Sequence, residues 1–155
     1  MKSYRDLEIY TESKRLAIAV HKMSLGLPKF EMYEEGGQVR RSSKAITSLI
    51  VEGYGRRRYK ADYIKYLVYA LSECDETIVH LDLLFESESL TDQNKYNNLR
   101  TDYDSLSKRI NKFIQLGRRQ FERILKRITS VALRNDKFET KLYRRHFTKL
   151  ATGNR

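Results

Sequence analysis

Four stretches of the chain repeat apolar residues at separations of three and four, the period that puts them on one side of an α-helix. The first, Ile9, Leu16, Ala17, Val20 and Met23, predicts a helix over roughly 6–26. Gly26 and Pro28 should end it, because proline cannot continue a helix and glycine suits the left-handed position past the last turn. The second stripe, Val39, Ser42, Ser43, Ile46, Leu49, Ile50 and Gly53, mixes large and small residues and predicts a helix over about 37–54 that a neighbour can approach closely. A third, from Tyr63 through Leu67, Ala70, Leu71, Cys74, Ile78 and Leu81 to Phe85, is the longest unbroken pattern. The fourth, Tyr96, Leu99, Tyr103, Leu106, Ile110 and Phe113, keeps heptad spacing behind Thr91 or Asp92, either of which can cap a helix start with its side-chain oxygen. With no alternating run long enough for a half-buried strand, the expected fold is an all-α, antiparallel up-down-up-down four-helix bundle over 1–116.

The last 39 residues have a different composition. Residues 117–155 hold 12 Lys or Arg and 3 Asp or Glu, so this extension carries most of the formal net charge of +11. It keeps an apolar stripe of its own (Phe121, Ile124, Leu125, Ile128, Val131, Ala132), so helix four is expected either to run on through Gly117 or to give way to a fifth helix and an arm. A mid-helix glycine costs only about 1 kcal/mol relative to alanine and does not separate these alternatives.

At 155 residues the chain suits one core. One cysteine permits no internal disulfide, no apolar run approaches the ~20 residues of a membrane span, and the N-terminus lacks the apolar segment of a secretory signal. A cytoplasmic protein is expected. No chemistry-bearing set stands out. The three histidines, His21, His80 and His146, are too far apart in sequence to share a helical face. Cys74 falls on the third apolar stripe, where cysteine acts as a small hydrophobe. Ser105 and Lys108 match S-x-x-K without its companion motifs, and no phosphate-binding glycine loop is present. Neither an enzyme nor a cofactor is expected.

The cationic residues are the candidate chemistry. Arg40 and Arg41 lie near the start of the second helix; Arg56, Arg57, Arg58 and Lys60 follow its end, with Tyr54 and Tyr59 interleaved as possible base-stacking platforms. Guanidinium groups grip phosphates and tyrosine rings stack on unpaired bases, a mixture suited to RNA or single-stranded DNA. Arg118, Arg119, Arg123, Lys126, Arg127, Arg134, Arg144 and Arg145 extend the same reading into the tail. Against it stand solvated arginines paired with Glu52, Asp62 or Glu73, tyrosines packed between helices, and a tail that lies on an anionic membrane or closes the bundle. A different class of reading makes the charge a dock for an acidic protein partner.

The segments DLEIY, LPKFEMY, QVRRSSKAI and EGYGRRRY, followed by the stretch from Tyr63 to Leu71, occur in the order and spacing of the bacterial four-helix bundle proteins first noticed in intervening sequences of 23S rRNA genes. The chain resembles that family over about 1–116, departing at Thr47 and Leu49, where the family often has proline and asparagine. The resemblance implies a bundle that self-associates into a ring, commonly a pentamer. A similar bundle is the basic accessory subunit of diversity-generating retroelements, which binds nucleic acid and a reverse transcriptase.

Overall fold

The computed structural model describes the backbone of residues 3–152, with side chains as far as Arg119 and those of Glu122, Arg123, Lys126, Arg127 and Thr129. Four helices, α1 (Glu8–Ser24), α2 (Glu35–Gly55), α3 (Lys60–Glu86) and α4 (Gln93–Thr152), follow a 3₁₀ turn at Tyr4–Asp6; no strand occurs among the described residues. The chain divides into two compact units, Met1–Gly117 and Arg118–Arg155, and α4 has residues in both. The first unit is the all-α bundle.

Its core forms where the four stripes meet. Leu16 and Val20 of α1, Ile46 and Ile50 of α2, Leu67 and Leu81 of α3, and Leu106 and Ile110 of α4 are all fully buried. Each such side chain contributes about 1.5–3 kcal/mol through loss of apolar surface to water. Small polar residues set how closely neighbours approach: Thr77 donates to Ser42 Oγ at 2.8 Å between α3 and α2, and Thr47 donates to Ser13 Oγ at 3.2 Å between α2 and α1. Charged ties join the remaining edges. Arg15 of α1 lies 2.6 Å from Asp102 of α4, and Asp82 of α3 accepts from Tyr96 and Arg100 of α4 at 2.9 and 3.0 Å.

The ends of the helices depart from expectation in instructive ways. No glycine among the described residues has a positive φ, so Gly26 is not a left-handed cap; Leu25 closes α1 and Arg56 closes α2. Helix α2 starts about two residues earlier than the stripe predicts, so Gly36 and Gly37 both lie inside its first turn. A Cβ on Gly36 would stand 2.8 Å from the Glu31 carbonyl oxygen and 3.0 Å from Leu27 Cδ1, so glycine is required there by close approach. Gly53 serves a similar purpose at the other end of α2, where a Cβ would stand 3.1 Å from Tyr66 Cβ of α3. At α4 the capping residue is Asp92, whose Oδ1 accepts from the Lys95 backbone at 2.9 Å; this bond lowers its carboxyl pKa. The buried ladder of α4 shifts from the expected Phe113, which is half-buried, to Ile114, because a 3.6-residue helix drifts against a seven-residue repeat. Helix α4 runs through Gly117, where a Cβ would stand 3.3 Å from Ile64 Cγ1 of α3.

Candidate nucleic-acid interface

The α2–α3 connection is a four-residue turn, Arg56 to Tyr59, held by its own backbone. Arg56 N–H reaches the Glu52 and Gly53 carbonyls, Arg57 N–H that of Tyr54 at 3.2 Å, and Tyr59 N–H that of Arg56 at 2.8 Å. A turn this tight, over helices brought together at Gly53, pushes its basic side chains outward. Arg56, Arg57 and Arg58 are all exposed. Two of them are also positioned: the Arg57 guanidinium lies 4.2 Å over the Tyr54 ring and donates Nη1–H to the Tyr54 carbonyl at 3.0 Å, while Arg56 stands 5.0 Å over the Tyr66 ring. Stacking of this kind contributes about 0.5–1 kcal/mol at a surface and fixes the plane of the cation.

The two tyrosines expected to stack bases have opposite environments. Tyr59 is 71% exposed. Tyr54 is 9% exposed, with Arg57 across one face of its ring and Tyr4 meeting it edge to face at 6.5 Å; the ring belongs to the core and offers no platform to a base. The signal was in the stripe, since Tyr54 lies four residues beyond Ile50 and continues it, whereas Tyr59 is outside any helix. Tyr63, next along, is half-buried, and burial raises its hydroxyl pKa.

Arg40 and Arg41 do not join this site. The α-helical rise of 1.5 Å per residue sets them about 22 Å along α2 from Arg56. Arg40 turns inward, donating Nη1–H to Ser24 Oγ at 3.0 Å and Nη2–H to the Met32 carbonyl at 2.8 Å, so its guanidinium anchors the α1–α2 connection instead of facing a ligand. Arg41 is exposed. Lys60 opens α3 and makes an interaction within the protein, as does Arg127. In the second unit, Arg118, Arg119, Arg123, Lys126 and Arg127 are exposed on the α4 segment, with 119, 123 and 126 at the spacing of one helical face. The side chains of Arg134, Arg144 and Arg145 lie outside the described residues.

A second basic feature escaped the sequence reading. Lys14, Ala17, Ile18 and His21 of α1, with Lys44, Thr47 and Ser48 of α2, line an open cleft of about 470 Å³ on the outside of the bundle. Its floor is mostly aliphatic, and among the described residues no carboxylate lines it. The spacing of 14, 18 and 21 along α1 was the available signal, but which helix lies beside that face is set only in three dimensions.

Elsewhere the buried chemistry is inert. Burial pushes the Cys74 thiol up to about 12, so it stays protonated at neutral pH and lacks nucleophilic character. Among the described residues no group of three or more His, Cys, Asp and Glu could hold a metal ion, and no helix is long and apolar enough to cross a membrane.

Comparison with known proteins agrees with this architecture. No curated protein matches the chain. A crystal structure of a protein with unknown function from the S23 ribosomal protein family of Bacteroides thetaiotaomicron VPI-5482 superposes with a TM-score of 0.64 at 24% identity, over 69% of this chain and 95% of that one, a likeness of fold. The family model described as 23S rRNA-intervening sequence protein matches residues 5–112, which takes in all of α1, α2 and α3 and α4 as far as Lys112, and the chain belongs to that family.

Proposed function

We propose that this protein is an oligomeric, non-catalytic scaffold that binds RNA or single-stranded DNA through the α2–α3 turn and the basic segment of α4. One observation carries the reading: the exposed Tyr59 ring stands beside three exposed arginines, two of them already oriented by tyrosine rings. Oriented guanidinium groups lose little freedom on meeting a phosphate, and an aromatic ring stacks on any base. The family's name ties it to 23S rRNA, so ribosomal RNA fragments are the first ligands to try. The resemblance to retroelement accessory subunits adds a reverse transcriptase as a candidate protein partner and a ring of five as the candidate assembly, in the cytoplasm.

The test is titration of a labelled single-stranded RNA with the full-length protein. Replacing Arg56, Arg57 and Arg58 by alanine removes up to three phosphate contacts. At about 0.7 log unit per contact per decade of salt, affinity should fall about 100-fold at 0.1 M salt. Replacing Arg119, Arg123 and Lys126 by glutamate should weaken binding at least as much. Unchanged affinity in both variants would contradict the proposal and favour the reading in which the charge docks an acidic protein.

A further inference from the structure

The outer face of α3 carries apolar side chains that the bundle leaves uncovered. Val79 is 53% exposed and Leu83 is 49% exposed, one turn apart on the same side of the helix. Asp75 and Glu76 lie one turn before them and Glu86 about one turn after, all exposed. The result is a ridge with two aliphatic residues at its centre and carboxylates at both ends.

The α1–α2 cleft is its counterpart. Ile18, 47% exposed, and Ala17 supply an aliphatic floor, and Lys14, Lys44 and His21 stand around it with no acid among the described lining residues. A volume of about 470 Å³ exceeds what a valine and a leucine side chain require. Each surface alone is an apolar area open to water; joined, they remove that area and set carboxylate against ammonium at the rim.

We propose that the α3 ridge of one copy of this chain docks into the α1–α2 cleft of the next, with Val79 and Leu83 on Ile18 and Ala17 and with Asp75, Glu76 and Glu86 toward Lys14 and Lys44. The proposal rests on the self-association stated above and adds which surfaces carry it. Because ridge and cleft are different patches, the contact is heterologous: every copy donates a ridge and accepts one, and the chain of contacts ends only by closing into a ring. Helix α3 thereby meets the neighbour's α1 and α2, leaving the α2–α3 turn of each copy outside the contact and able to present Arg58 and Tyr59 repeatedly around the assembly.

The experiment uses two full-length variants, Ile18→Glu, which blocks the cleft and keeps the ridge, and Leu83→Glu, which blocks the ridge and keeps the cleft. Both positions are about half exposed, so the bundle should fold, as circular dichroism and thermal melting will show. Sedimentation at high micromolar concentration should give an oligomer for the natural chain and a monomer for each variant. Mixing the two should restore a one-to-one heterodimer and nothing larger, since only one intact ridge and one intact cleft remain. An oligomer in either variant alone, or a mixture that stays monomeric, overturns the assignment of surfaces while leaving self-association standing. A natural chain that is itself monomeric overturns both. A Glu76→Lys variant that loses association, and regains it with Lys44→Glu in the same chain, confirms the pairing of charge across the contact.

Discussion

The two ends of the bundle contain similar residues put to opposite uses. At one end the α2–α3 turn holds its arginines outward on tyrosine rings; at the other, Arg40 spends two nitrogens on Ser24 and the Met32 carbonyl. Exposed aromatic rings occur at both, Tyr59 at the first and Phe30 and Tyr33 at the second. Their neighbours differ. Tyr59 follows three arginines, whereas Phe30 and Tyr33 share the α1–α2 connection with Glu31 and Glu34, next to Glu35 at the start of α2, and Ser89 of the adjoining α3–α4 connection donates to Glu31 at 3.1 Å. His80 adds to that acidic end by pairing with Glu35 and, more weakly, Glu76. Residue type therefore does not separate an interface from a structural corner. What separates them is whether the guanidinium directs its hydrogen bonds to neighbouring elements, as Arg40 does to Ser24 and Met32, or keeps most of its surface in solvent, as Arg57 does while bonding only its own turn.

Substitutions at paired positions sharpen this contrast. The largest effect on stability should come from Tyr54→Ala, which empties a buried site and should lower unfolding free energy by about 3–5 kcal/mol. Tyr59→Ala should leave the denaturation midpoint in place and weaken RNA binding by the worth of one stacked base, about 1–3 kcal/mol. If the two swapped effects, the division of the turn into core and platform would be wrong.

Arg40→Ala should cost about 1–3 kcal/mol in chemical denaturation, since it removes two charge-assisted hydrogen bonds, with RNA affinity unchanged. A loss of affinity there with normal stability would make the acidic end a second interface. Gly36→Ala tests the same corner through its backbone. The added Cβ meets the Glu31 carbonyl, so the variant should be destabilised by about 1–3 kcal/mol although alanine is the better helix former.

The smallest effect concerns pH. The hydrogen bond from Arg15 holds the Glu12 carboxyl below its ordinary value, and the Lys95 backbone does the same for Asp92. Groups with lowered folded pKa bind fewer protons folded than unfolded, so their contribution is present above the unfolded pKa and is lost as pH falls through the folded one. The melting temperature should therefore decline on acidification below about pH 4. Burial raises Glu73 and works in the opposite direction, and Glu73→Gln should remove only that opposing contribution.

The helices were legible because each stripe was long and in phase, and the identity of the core followed from it. Their ends were less so. Gly36 is fixed by a distance to Glu31 and Leu27, and a contact across a connection leaves no periodic trace. The same limit governed the candidate site. Arg58 and Tyr59 could be placed outside any stripe, but the inward turn of Arg40 depends on where the Met32 carbonyl lies. The α1–α2 cleft depends on which outer faces become neighbours. Tyr54 is the instructive case: its proximity to three arginines suggested a stacking platform, whereas it is in phase with Ile50 and lies in the core.

The most direct measurement is the salt dependence of RNA binding by the natural chain beside the variant lacking Arg56, Arg57 and Arg58. A steep fall of log affinity with log salt in the natural chain, with the slope reduced by about 2 in the variant, is the predicted result. A slope near zero, or the same slope in both proteins, would contradict the claim that the α2–α3 turn grips phosphates.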